Sequence, residues 1–163
     1  MIPADFVREV YTASYRRLVV QTYAVCGDVG EAEEAVQEAF VRALGHGRSF
    51  VTLDNPEAWL RTVALNHLRN RWRHAEVVRR FQGRLFEPPT HLELSPDHVV
   101  LVEALRRLDR AHRTAVALHY LADLTVAEVA AELGVPEGTV KTRLARSREL
   151  LGPMLSGEEA DHG

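Results

Sequence analysis

Thr125-Val126-Ala127-Glu128-Val129-Ala130-Ala131-Glu132-Leu133-Gly134-Val135-Pro136-Glu137-Gly138-Thr139-Val140-Lys141-Thr142-Arg143-Leu144-Ala145-Arg146-Ser147-Arg148 decides the fold. Thr125 and Glu128 have the spacing of a capping box, in which hydroxyl and carboxylate satisfy helix-start N–H groups reciprocally. Val129, Ala130 and Leu133 fall on one inward face, with the small Ala130 where a second helix must cross closely. Gly134 suits the left-handed residue that ends a helix, and Val135 plugs the turn. A second helix opens at Pro136-Glu137-Gly138-Thr139, pinned by Val140, Leu144 and Leu151. Its outer face carries Thr139, Lys141, Thr142, Arg143, Arg146 and Arg148. These features predict a helix-turn-helix whose recognition helix, Glu137–Arg148, fits the major groove of DNA. The plainer alternative is a helical hairpin with a solvated basic face. The coincidence of cap, small residue, turn glycine and basic helix at these offsets argues against it.

Working outward, the pattern is helical nearly throughout, so the expected fold class is all-α. Val7, Val10, Tyr11, Ser14, Leu18, Thr22 and Val25 form one face of a first helix, stopped by Gly27-Asp28. Ala32, Ala35, Val36, Ala39, Phe40, Ala43 and Leu44 give the inward face of a second, which leaves Glu34, Gln37 and Glu38 on its open side. Residues 45–54 read as a loop. Asn55-Pro56-Glu57 starts a third helix, with Asn as N-cap, Pro in the first turn and an acid near the positive dipole end. That helix runs to about Arg80, with Trp59, Leu60, Val63, Ala64, Leu68 and Trp72 inward. Periodicity fails from Phe81 to Pro96, where Pro88-Pro89 and Pro96 mark a linker. A fourth helix opens at Ser95-Pro96-Asp97 and places Leu101, Leu105 and Leu108 on one side; a fifth spans about Ala111–Leu121. The expected organisation is a three-helix domain over residues 1–80, a linker over 81–96, a four-helix domain over 97–151 and an acidic tail over 152–163, disordered after Gly152-Pro153.

The chain has 163 residues, 46% hydrophobic and 26% charged, which fits a folded protein with modest cores. With one cysteine, Cys26, it has no disulfide framework and no thiolate metal cluster, so a reducing cytoplasm is the expected setting. No apolar run approaches the roughly 20 residues of a membrane helix, and the N-terminus lacks the pattern of a signal peptide. The formal net charge of −3 would argue against nucleic acid were it evenly spread. It is polarised instead. Residues 28–38 hold Asp28, Glu31, Glu33, Glu34 and Glu38 with no basic residue, whereas residues 61–84 hold seven arginines (61, 69, 71, 73, 79, 80 and 84) against Glu76 alone. A polyanion responds to the local field, so one face can meet DNA and another a basic protein.

Asn66, Arg69, Asn70 and Arg73 are spaced three or four apart on the third helix and share a face suited to base edges and phosphates. Trp59 and Trp72 read as core residues, with stacking on unpaired bases as the alternative; the seven arginines read as nucleic-acid contacts, with a solubilising face as the alternative.

Three segments, in order, resemble a known family. Glu31-Ala32-Glu33-Glu34-Ala35-Val36-Gln37-Glu38-Ala39-Phe40 resembles the acidic signature of region 2 of the sigma-70 family. Pro56-Glu57-Ala58-Trp59-Leu60-Arg61-Thr62-Val63-Ala64-Leu65-Asn66 is similar to the segment that follows it, and Gly134 to Arg148 resembles the region 4 recognition helix. With regions 2 and 4 alone, the chain resembles the extracytoplasmic-function (ECF) group of bacterial sigma factors. The resemblance covers residues ~5–151. It implies a protein that binds core RNA polymerase, directs it to promoters and helps open the −10 element. It also implies that Glu34, Gln37 and Glu38 dock on the clamp helices of the polymerase's largest subunit, and that Asn66 helps hold a flipped −10 base, with Arg69, Asn70 and Arg73 near the non-template strand. Thr139, Lys141, Thr142, Arg143 and Arg146 become the −35 set, and an anti-sigma factor becomes a candidate partner. The chain departs from the family pattern at Ala35, at Ala145 and in the loop Arg48-Ser49-Phe50-Val51-Thr52-Leu53-Asp54-Asn55, which bears on −10 base selection.

The residues give little support to two other classes, an enzyme and a regulator that acts without polymerase. Among eight histidines, His67/His74 and His112/His119 are seven apart, about 10 Å along a helix and too far for one zinc. No phosphate-cradling glycine loop or Gly-x-Ser-x-Gly turn occurs, so catalysis, cofactors and metals are not expected, and Cys26 reads as a small buried residue. A DNA-binding regulator that never meets polymerase would use residues 97–151 alone for DNA; the acidic face of the second helix distinguishes it.

Overall fold

The computed structural model describes residues 2–79 and 95–162, with side chains at all of these except 75–79 and 153–162. The chain divides into two compact units, Met1–Glu93 and Leu94–Gly163. The expected linker lies, but for Ser95 and Pro96, outside the described residues. All regular structure among the described residues is helical.

In the first unit, α1 (Pro3–Cys26) starts with proline in its first turn and ends at Gly27, whose φ of 76° lets its N–H return to Tyr23 O. Asp28 caps α2 (Val29–His46) by accepting from Glu31 N at 2.8 Å. Asn55 caps α4 (Pro56–Arg79) in the same way, accepting from Ala58 N at 3.0 Å. Helices α1, α2 and α4 pack on one another around Leu18, Val19, Val25, Val36, Leu60 and Leu68.

Four expectations change here. The 45–54 segment is not all loop: α3 (Arg48–Val51) forms one helical turn and seats Phe50 at 0% exposure against α1 and α2. The Phe50 ring lies edge-on to Phe6 and Trp59, with centroids at 5.7 and 5.5 Å. Leu44, expected inward, is 53% exposed, because it stands at the edge of the α2 stripe in the last turns of the helix. Tyr11 is exposed too, stacked flat on Tyr15 and edge-on to Phe40. Arg61 does not belong to a DNA-facing set. It is 8% exposed and donates through Nε to Gln21 Oε1 of α1 at 3.0 Å.

In the second unit, Ser95 caps α5 (Pro96–Leu105) and Asp109 caps α6 (Arg110–Val116), which continues as a π turn, Ala117–Leu121. The backbone N–H and ring of His112 hold the Asp109 carboxyl below its usual range. Helices α7 (Val126–Leu133) and α8 (Glu137–His162) complete the unit. Val102, Leu105, Leu108, Ala115, Leu118, Val129, Val140, Leu144 and Leu151 form its core. The tail was expected to be disordered, yet α8 runs past Pro153 to His162. Met154, Leu155, Glu158 and Glu159 favour helix, and the helix continues although Pro153 lacks a backbone donor and crowds the carbonyl four residues before it.

Candidate nucleic-acid interface

The turn between α7 and α8 is built by local chemistry. Thr125 Oγ1 accepts from Glu128 N at 3.1 Å while Glu128 Oε1 accepts from Thr125 N at 3.0 Å, closing the capping box. Gly134 has φ 66° and returns its N–H to Ala130 O. Val140, Leu144, Ser147 and Leu151 are buried along one stripe of α8, which turns the opposite face outward. Thr125→Ala should cost about 1 kcal/mol, read as a lower urea midpoint with an unchanged slope; an unchanged midpoint would show that the box adds nothing.

On that outer face Lys141, Thr142 and Arg146 are exposed, while Thr139 and Arg143 are half-buried at its margin. The Thr142 hydroxyl donates to Gly138 O at 2.9 Å, leaving its oxygen free to accept. Arg146 is held by Glu149 at 3.3 Å, and Arg148 donates to Tyr120 Oη at 3.0 Å. The residues expected to meet the −35 element thus lie on the solvent side of α8, with Thr139 and Arg143 at its edge.

The α4 set is equally coherent. Arg69 Nη1 donates to Asn66 Oδ1 at 3.3 Å, and Arg73 Nη2 donates to Asn70 Oδ1 at 2.7 Å. These two i,i+3 bonds make one continuous row in which the amide N–H groups stay available to an acceptor. Neither tryptophan is fully buried: Trp59 is wedged edge-on against Phe50 and His46, and Trp72 Nε1 donates to Glu31 Oε1 at 2.8 Å. Of the remaining arginines, Arg71 ion-pairs with Glu34, the Arg79 side chain is not described, and Arg80 and Arg84 lie outside the described residues.

The acidic face of α2 is divided. Glu34 pairs with Arg71, and His67 Nε2 stands 3.9 Å away. Gln37 donates to Tyr15 Oη at 3.4 Å, and Glu38 pairs with Arg42 of the same helix at 3.2 Å. Glu33, inside the same acidic run, is 6% exposed, and its Oε1 has no hydrogen-bond partner among the described residues. Sequence reading missed that burial, although Glu33 precedes Val36 and Phe40 at helical spacing. Among the described residues no group of three or more His, Cys, Asp or Glu converges as a metal site, and no helix is long and apolar enough to cross a membrane.

Helical structure throughout the described residues, with a helix-turn-helix in the second unit, defines a class of DNA-binding protein. The sequence matches the family Sigma-70 region 2 over residues 10–77 and Sigma-70, region 4 over residues 98–151. It is 32% identical to the ECF RNA polymerase sigma factor SigL of Mycobacterium tuberculosis, over 86% of this chain and 84% of that protein. It is 30% identical to SigW of Bacillus subtilis, over 82% and 80%. Among solved structures it resembles the sigma factor RpoE of Bartonella quintana, determined with the anti-sigma factor NepR, at a TM-score of 0.74 and 26% identity over 93% and 97% of the two chains. The chain belongs to the ECF group of the sigma-70 family. As such it is a transcription initiation factor that binds core RNA polymerase and directs promoter recognition.

Proposed function

We propose that the two units divide promoter recognition between them. In the second, Lys141, Thr142 and Arg146 contact −35 base edges, with Thr139 and Arg143 at the margin of the contact. In the first, Asn66 receives a flipped −10 base while Arg69, Asn70 and Arg73 track the non-template strand. Glu34, Gln37 and Glu38 dock on the clamp helices of the largest polymerase subunit. The factor works in the cytoplasm without catalysis of its own, and an anti-sigma factor restrains it, as the NepR complex of its structural neighbour suggests. The observation that carries the proposal is the exposed Lys141/Thr142/Arg146 face, on a helix fixed by a closed capping box and the left-handed Gly134.

Arg146→Ala tests it. A bidentate base contact predicts a loss of about 1–3 kcal/mol at −35 sites, with relaxed preference at one position. Because Glu149 holds Arg146 in the free chain, Glu149→Gln should strengthen binding to DNA of any sequence without altering preference. Equal activity across −35 variants before and after Arg146→Ala would remove the assignment.

A further inference from the structure

Arg148, the last arginine on the outer face of the recognition helix, has a partner that the sequence pattern hides. Its Nη1 donates to Tyr120 Oη at 3.0 Å, across 28 residues of chain. Tyr120 is half-exposed, yet its base is fixed. The π turn holds Ala122 N on Ala117 O and Leu124 N on Leu118 O, each at 3.1 Å. The His119 ring stands edge-on to Tyr120 at 4.8 Å, with Nδ1 2.8 Å from Leu124 O. A phenol that accepts from a guanidinium keeps its own O–H to donate, and the guanidinium keeps its other N–H groups. Glu149, the neighbouring acid, is taken by Arg146, so it does not neutralise Arg148.

Position says what these donors meet. Arg148 lies seven residues after Lys141, hence on the same flank of α8 and about 10 Å further along the axis. A helix in the major groove turns its centre to base edges and its flanks toward the phosphate walls. We infer that Tyr120 and Arg148 together form a binding site for one backbone phosphate of duplex DNA beside the −35 contact; this rests on α8 being the recognition helix. Tyr120 orients the guanidinium and adds a second donor, so the site contributes affinity without sequence preference.

The test uses the full chain with two probes: a random-sequence duplex pool, and the single duplex from it that the unaltered chain binds best. Binding is measured across a salt series. Arg148→Ala should flatten the slope of log affinity against log salt by about 0.9, one phosphate's worth, on both probes. Tyr120→Phe keeps the ring and the charge, so it should leave the slope alone and weaken both probes about three- to ten-fold. The double variant should lose less than the sum of the two single losses, because the phenol acts in part through the guanidinium it orients. An unchanged slope in Arg148→Ala overturns the site, as do losses that add in full or that appear only on the selected duplex. A lowered melting midpoint in Tyr120→Phe with unchanged pool binding also overturns it and leaves the pair a structural staple. If the unaltered chain prefers no duplex, the −35 assignment fails instead, while the slope on the pool still reports the phosphate site.

Discussion

Phe50→Ala is expected to remove about 3–5 kcal/mol from the first unit, the cost of deleting a large aromatic side chain from a packed interior. Phe50 has 0% exposure and is the buried residue of α3, a four-residue helix with no side-chain cap. A helix of that length has no stability of its own, so its conformation depends on the ring that anchors it. Removing the ring leaves a cavity beside Phe6 and Trp59, two large residues that cannot collapse into it without moving α1 or α4. Urea unfolding reads the loss directly. Phe50→Leu, which refills most of the volume, should recover more than half of it. A loss below about 1 kcal/mol for Phe50→Ala would mean that the segment is not anchored there. The consequence reaches the proposed function, because Phe50 packs on Trp59 of α4, the helix proposed to carry the −10 contact. A folded Phe50→Leu variant should therefore weaken −10 discrimination before it weakens −35 binding.

Glu34→Lys is expected to lower affinity for core polymerase about ten- to a hundred-fold, the range for reversing a charge that docks on a basic partner. Glu34 is half-exposed, so a partner can reach it, yet in the free chain it faces Arg71 and His67 of α4. Reversal would set three basic side chains together, and some loss of stability would follow. Two further variants separate the effects. Arg71→Ala removes the internal partner and frees the carboxylate, so polymerase affinity should hold or rise. Glu38→Lys changes the same charge on a residue paired only within its own helix by Arg42, and should weaken polymerase binding with little change in the urea midpoint. Duplex binding by the second unit should be untouched in all three. Polymerase affinity that follows the urea midpoint across the series, instead of the charge on α2, would assign Glu34 a structural role.

How far the sequence could be read depended on whether a residue's neighbours lie close in the chain. The helix-turn-helix was legible because its determinants are local: Thr125 and Glu128 cap each other, and Gly134 needs only its own backbone. The Asn66/Arg69 and Asn70/Arg73 pairs follow from i,i+3 spacing for the same reason. Charge along the chain points Arg61 and Glu33 outward, whereas burial is decided across helices and takes both inward. Arg61 stands at helical spacing from Ala64, Leu65 and Leu68, and that row faces Gln21 on α1. The spacing carried the signal, and the charge obscured it. Phe50 gave no periodic signal, since one helical turn is too short to show a period. The Glu34–Arg71, Trp72–Glu31 and Arg148–Tyr120 contacts join residues 28 or more positions apart, and nothing local announces them. They change the picture of the acidic helix most: part of its charge steadies α4.

This chain turns core polymerase into a promoter-specific enzyme. Run-off transcription from a genomic promoter library, with purified core polymerase and the purified chain, tests it most directly. The expected result is a set of discrete, chain-dependent starts sharing one −10 and one −35 motif, with Arg146→Ala altering preference only within the −35 motif. Starts no different from those of core polymerase alone, from a chain that still binds duplex DNA, would contradict it.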